Sequence, residues 1–200
     1  MKSKVFSCFG LFCTALLLWP CVSASKEINR CRKYLPQVIR EARFYAGGMT
    51  APHALFMGQI EQESRCDAAV TAFDGGKGLG QFMDPTADWM QEREKALREI
   101  SIKPNPYDPQ WSIRALVLYD KWLYGQSVCP GWYYALRGYN GGIGLLNREI
   151  RGCGTCDRTK VEAECRRKVI KLKSGKTLDM CRDVNIPYYY LAEKKGEKYR

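Results

Sequence analysis

His53-Ala54-Leu55-Phe56-Met57-Gly58-Gln59-Ile60-Glu61-Gln62-Glu63-Ser64 is the stretch on which the reading of this chain turns. Read as a helix, it places Phe56, Ile60 and Glu63 at i, i+4 and i+7, on one face. That face is apolar except for Glu63. Burying a carboxylate disfavours its charged form and raises its pKa. The C-terminal end of a helix opposes negative charge and pushes in the same direction. A carboxylic acid still protonated near neutral pH is what a general acid requires. The plainer reading is an exposed glutamate at a helix end, paired with Arg65. Glu61 faces Ala54 and Met57 and is expected to be exposed or to hold a local partner.

Outward from this segment the pattern stays helical. Leu35, Val38, Ile39, Ala42 and Tyr45 mark one face of an earlier helix that Gly47-Gly48 ends. A polar, glycine-rich loop follows Ser64, from Arg65 to about Gly80. Asp84-Pro85 reads as an N-cap followed by proline at the first helical position, and Asp108-Pro109 repeats the device. After it, Trp111, Ala115, Leu118 and Trp122 form a stripe, read as core, and Gly125 closes the helix. Two shorter helical pieces surround Gly138 to Gly144. The segment 169–179 reads as a small hairpin around Ser174-Gly175.

The 200 residues carry 32 Lys+Arg against 21 Asp+Glu, a net charge of +11, with 46% hydrophobic and 26% charged residues. That is the balance of a globular chain. The single histidine, His53, excludes a two-histidine metalloprotease site and any zinc site with several imidazoles. No glycine-rich phosphate loop with a following Lys-Ser/Thr is present. Carboxylates are therefore the natural acid–base groups, and no cofactor or metal is expected. From Arg148 to Arg200 the net charge is +7, against +2 for Ser25 to Asn147.

Lys2 and Lys4 precede an uncharged apolar run, broken at Pro20 and followed by Val22-Ser23-Ala24. Residues 1–24 therefore read as a secretory signal, with a retained membrane anchor as the alternative. Their removal leaves a charge of +9 and seven cysteines: Cys31, Cys66, Cys129, Cys153, Cys156, Cys165 and Cys181. In an exported chain disulfides are the default, and an odd count leaves at least one thiol over. A zinc knot from Cys153, Cys156, Cys165 and Cys181 is the competing reading. The pairing cannot be read from the spacing.

Three motifs follow one another in order. Glu63-Ser64 ends a helix. Gly78-Leu79-Gly80-Gln81-Phe82-Met83, with Pro85-Thr86-Ala87, follows the loop. Ala135-Leu136-Arg137-Gly138-Tyr139-Asn140 comes far downstream. In order and spacing they resemble the catalytic domain of the soluble-type lytic transglycosylases, of the lysozyme-like superfamily, over roughly Tyr34 to Ile150. The resemblance implies a mainly α, lysozyme-like single domain with a cleft. Its core would span residues 25–150, and a basic, disulfide-stapled subregion, residues 151–200, would complete it.

The resemblance also implies roles. Glu63 would be the sole acid–base catalyst, cleaving the β-1,4 bond between N-acetylmuramic acid and N-acetylglucosamine with 1,6-anhydro ring closure. Ser64 would hydrogen-bond Glu63 or the sugar. Gln81 and Met83 would line the cleft, and Tyr139 and Asn140 would supply a ring and an amide near Glu63. Each has a plainer reading, in a turn, a cap or the core. The family also carries a late tyrosine that leans on the glutamate. In Asn185-Ile186-Pro187-Tyr188-Tyr189-Tyr190-Leu191, aligning Leu191 with the family's terminal leucine puts Ile186 at that position, whereas aligning on aromatics offers Tyr188 or Tyr190, and Tyr190 is preferred. Position 80 departs from the family in being glycine where methionine is usual, which is expected to widen the loop.

Peptidoglycan glycan strands are then the expected partner, attracted by the positive surface. The same surface does not argue for nucleic acid, because the aromatics are not interleaved with the basic residues. The protein is expected to be exported, to the periplasm or beyond the cell, and monomeric. Association with a wall-spanning machine is left open. The competing functions are a goose-type-like lysozyme, with Asp74, Asp84 or Asp88 holding a water, and a non-catalytic wall-binding protein.

Overall fold

The computed structural model describes residues 30–171 and 174–200. The segment read as a signal, residues 1–24, lies outside them. The described chain is mainly helical: α1 (Leu35–Tyr45), α2 (His53–Ser64), α3 (Asp84–Arg93), α4 (Lys95–Arg98), α5 (Pro109–Gln126), α6 (Trp132–Gly141), α7 (Ile143–Cys153), α8 (Arg158–Ala163) and α9 (Ile186–Gly196). A two-stranded antiparallel hairpin, β1 (Val169–Lys171) and β2 (Thr177–Asp179), pairs Ile170 with Leu178. It falls where the alternation around Ser174-Gly175 places it.

Proline and aspartate set several helix starts. Asp108 caps α5, its carboxylate accepting from Trp111 N at 2.8 Å. Asp84 does not cap α3. Met83 takes the cap position without a side-chain bond, and the Asp84 carboxylate instead takes the Lys77 ammonium at 2.6 Å.

Helix α2 is the hinge of the packing. Phe56, Met57, Gly58, Gln59, Ile60, Glu61 and Ser64 are all buried, so the helix is enclosed on nearly every side rather than along one stripe. One apolar cluster joins it to α1, α3 and α5 through Val38, Met90, Trp111 and Leu116. A second gathers Tyr133, Leu136, Leu146, Ile150, Tyr188 and Ala192 from α6, α7 and α9. Tyr139 packs against both clusters.

The approach of α9 to α2 depends on two glycines. A Cβ on Gly58 would lie 1.9 Å from Ala192 O, and one on Gly196 would lie 2.4 Å from Ala54 O. Without side chains at these positions the two backbones come into contact, and the C-terminal segment returns to the helix that carries Glu63.

Glu61 corrects the expectation of exposure. It is 4% exposed and accepts from Lys198 Nζ at 2.7 Å and Tyr199 Oη at 2.6 Å. The face of α2 opposite Phe56 is covered by the last residues of the chain, which helical periodicity within α2 alone does not reveal.

Three disulfides join Cys31–Cys66, Cys129–Cys156 and Cys165–Cys181. Among the described cysteines, Cys153 is left unpaired. Because Cys156 pairs with Cys129 and Cys165 with Cys181, the four-cysteine knot is not formed.

Candidate active site

Helix α2 stops just past Glu63. Arg65 and Cys66 both take left-handed backbone, φ 50° and 60°, and the Cys31–Cys66 bond holds the turn. This delivers Glu63 to the edge of the loop that runs to Met83. Its side chain is half-buried, and Tyr188 Oη on α9 donates to its Oε1. Burial pushes the carboxyl from its ordinary 4.5 up to about 7. The Tyr188 hydrogen bond and Lys195 pull it back, and Asp74 adds to the rise.

Tyr190, preferred above as the tyrosine beside Glu63, is not there. It is 42% exposed and donates to Glu162 Oε1 at 2.9 Å. The reason is rotation about the helix axis. Tyr188, Ala192 and Gly196 repeat every four residues and share the buried face against α2. Two residues on, a side chain has turned by about 200°. Three successive tyrosines cannot be told apart by composition; only the phase of α9 separates them.

The other named residues are placed as follows. Ser64 Oγ donates back to Ile60 O at 3.0 Å, within its own helix, and is buried. Gln81 has φ 52° and donates from Nε2 to Gly78 O at 2.7 Å, bracing the loop. Met83 is 42% exposed at the end of the same loop. Tyr139 Oη donates to Gly80 O at 2.5 Å, and the Gly80 amide donates to Ser112 Oγ at 3.1 Å. Burial raises the Tyr139 hydroxyl pKa well above the usual phenol value, and the charge of Glu63 adds to the rise. Asn140 is exposed and its Oδ1 accepts from Asn185 Nδ2 at 3.2 Å.

At Gly80 the space around the backbone is filled. A Cβ there would lie 2.6 Å from the Phe82 ring and 3.1 Å from Tyr139 Oη. Two aromatic side chains fill the space that a larger residue would need. The loop is closed further by Gly78, where a Cβ would fall 1.7 Å from Pro106 O.

Several groups near the site carry no sequence motif. Tyr119 packs edge-on to Tyr139 at 5.3 Å and stacks on Trp122 at 5.7 Å, and Trp89 lies 4.8 Å from Trp122. Trp111 is fully buried, as its place on the stripe implies, whereas Trp122 is half-buried in this aromatic row. Asp120 is fully buried on α5 and accepts from Gln59 Nε2 at 3.5 Å. Gln59 Oε1 and Asp120 Oδ2 have no other hydrogen-bond partner among the described residues. Burial drives the Asp120 pKa well up, and Glu63 adds to the rise.

A half-buried carboxyl of raised pKa, hydrogen-bonded by a tyrosine on a mainly helical scaffold, is an arrangement able to give and take a proton. The transglycosylase SLT domain model matches residues 42–161. The chain belongs to that family, the soluble-type lytic transglycosylases. Comparison with curated proteins gives no match.

Proposed function

We propose that the protein is a peptidoglycan lytic transglycosylase in which Glu63 acts first as acid and then as base. The observation that carries the reading is the Glu63 carboxyl, raised to about 7 by burial and held by Tyr188. Near neutral pH a large share of it is protonated. It gives its proton to the glycosidic oxygen as the C1–O4 bond of the muramyl residue breaks. The carboxylate so formed takes the proton of the C6 hydroxyl, whose oxygen closes onto C1. Bond breaking and ring closure balance without water, so no second carboxylate is needed to activate one. Tyr188 donates to whichever form is present but favours the anion, because charge-assisted hydrogen bonds are the stronger. It eases the proton loss and then holds the base in place.

We assign Gln81, Met83, Tyr139 and Asn140 to the bound sugars, a reading supported for Tyr139 by the effect of the Glu63 charge on its hydroxyl. Ser64, turned back on Ile60 O, holds the helix end instead. Three disulfides suit an oxidising compartment, and none of the described helices is long and apolar enough to cross a membrane. Periplasmic or extracellular action fits both.

Purified sacculi test the reading. The parent should release muropeptides lighter by one water than hydrolytic products, and Glu63→Gln should release none. Products with free reducing ends would make the protein a hydrolase. Equal clearance by Glu63→Gln would remove Glu63 from the chemistry.

A further inference from the structure

Beside Asn140 lies a cavity of about 440 Å³. Its walls include Asn140, Arg166, Arg167, Lys168, Met180 and Asn185. The Cys165–Cys181 disulfide staples the basic wall to the opposite one, and Met180 N donates to Lys168 O at 3.2 Å. Arg166, Arg167, Lys168 and Met180 all lie beyond residues 42–161, the part shared with the family.

The buried charges beside the cavity do not cancel. The Arg167 side chain is 7% exposed and Arg137 wholly buried, and both turn to one carboxylate, Glu149. Arg137 Nη2 takes Glu149 Oε2 at 2.9 Å in an aligned bond. Arg167 Nη2 lies 3.3 Å from Oε1, but neither Nη2 nor Nε has a hydrogen-bond acceptor among the described residues. Only Nη1 is bonded, to Gly141 O at 2.6 Å. Two guanidiniums against one carboxylate leave a positive charge in a desolvated place, and such a charge gains from an anion.

The backbone is fitted to this guanidinium. A Cβ on Gly141 would lie 2.4 Å from Arg167 Nη1 and 2.3 Å from Asn185 Nδ2. Asn185 accepts from Arg137 Nε at 3.0 Å and donates to Asn140. The cavity is thus tied to the rim of the sugar site. Arg166, whose Nη1 donates to Ala163 O at 2.7 Å and whose Nη2 lies 3.7 Å from Glu164 Oε2 in an exposed ion pair, and Lys168 stand exposed at its mouth.

We propose that this cavity is a carboxylate subsite, which holds a carboxylate of the peptide branch on a glycan strand lying in the cleft. The inference rests on the transglycosylase reading for the identity of the strand. The planar fork of arginine suits a carboxylate. The muramyl residues of such a strand carry peptides with free carboxylates, and the cavity opens where the strand passes Asn140. A carboxylate entering it meets Arg166 and Lys168 at the mouth and the Arg167 charge at the floor.

The test measures binding in the Glu63→Gln background, so it does not depend on turnover. The probes are soluble glycan oligomers with intact peptides, the same oligomers stripped of peptide, oligomers whose peptide carboxylates are amidated, and the free peptide. Intact oligomers should bind roughly tenfold tighter than stripped or amidated ones, as expected for charged hydrogen bonds. The double variant Arg166→Gln, Lys168→Gln, at two exposed positions, should abolish that difference and leave stripped oligomers bound as before. Equal binding of amidated and intact oligomers would overturn the carboxylate. Equal weakening of stripped and intact oligomers would reduce the patch to general attraction. Free peptide binding as tightly as the intact oligomer would detach the subsite from the strand. Failure of Glu63→Gln to abolish cleavage in the parent assay would sink the catalytic reading and leave this comparison standing.

Discussion

Tyr188 donates its phenolic hydrogen to Glu63 Oε1 although 125 residues separate them in the chain. The two side chains arrive from helices in backbone contact, α2 and α9, and the contact brings together the matched family segment and the tail beyond it. The tyrosine opposes burial. Burial raises the carboxyl pKa, and the Tyr188 hydrogen bond lowers it.

Tyr188→Phe should therefore separate orientation from acidity. Loss of a hydrogen bond to a charged group predicts a fall in kcat of roughly tenfold to a hundredfold. The Glu63 pKa should rise further, moving the alkaline limb of the kcat/KM profile above about pH 7. Tyr190→Phe, which touches Glu162 instead, should leave both unchanged. A pH–rate series on the two variants checks this; a limb that stays in place in Tyr188→Phe would remove the hydrogen bond from the acid's control.

Gly58→Ala should cost far more than a surface change. The added carbon would stand 1.9 Å from Ala192 O, a backbone atom that no rotamer change can move. Overpacking of a core ordinarily costs about 1–3 kcal/mol, and a backbone collision predicts at least about 3 kcal/mol. Separation of α9 from α2 would also withdraw Tyr188 from Glu63. Thermal unfolding should show a lowered Tm, and residual activity should fall with it, whereas Gly125→Ala, where nothing lies within 4 Å, should do neither.

What the sequence discloses about this site divides along local and long-range lines. The end of α2, the start of α5 at Asp108 and the hairpin around Ser174-Gly175 follow from caps, glycines and periodicity, which act over a few residues. The Glu63 face is legible because i, i+4 and i+7 mark it. The choice between Tyr188 and Tyr190 is not, because it depends on the rotation of α9 against α2. Glu61 is misread for the same reason: its partners, Lys198 and Tyr199, lie more than a hundred residues away. The buried Gln59–Asp120 pair belongs to two helices whose adjacency no local pattern announces.

Glu63 should make the protein less stable as pH rises. Its folded pKa, about 7, stands above the ordinary 4.5. Between these values the folded state holds a proton that the unfolded state has released. The stabilisation is complete below about pH 4.5 and is lost as pH climbs through about 7. Over that window the loss is on the order of 3 kcal/mol, since each tenfold change in proton affinity is worth about 1.4 kcal/mol. Glutamine carries no such proton, so Glu63→Gln should be the more stable form at about pH 8 and should lose that advantage by about pH 4. Asp120→Asn should flatten the curve in the same direction, since burial raises Asp120 too. Denaturant titrations of the three proteins at about pH 4, 6 and 8 check the sign; parallel curves would show that neither carboxyl is protonated in the folded state.

The Cys31–Cys66 bond ties the start of the described chain to the turn that ends α2, closing a loop of 35 residues. Such a crosslink ordinarily contributes about 2–4 kcal/mol by restricting the unfolded chain. It has a second consequence at this position. Cys66 and Arg65 both hold left-handed backbone, a conformation that side-chain-bearing residues adopt only under constraint from their surroundings. Without the crosslink, the turn can relax and the last residues of α2, Glu63 among them, can fray. Cys31→Ser, Cys66→Ser should therefore lower Tm and should also lower kcat at temperatures well below unfolding. Removal of Cys165–Cys181, which joins neither α2 nor the turn that ends it, should lower Tm but spare turnover of peptide-free strands. A double variant at Cys31 and Cys66 that unfolds earlier yet cleaves at the parent rate when folded would confine that disulfide to stability and free the helix end from it.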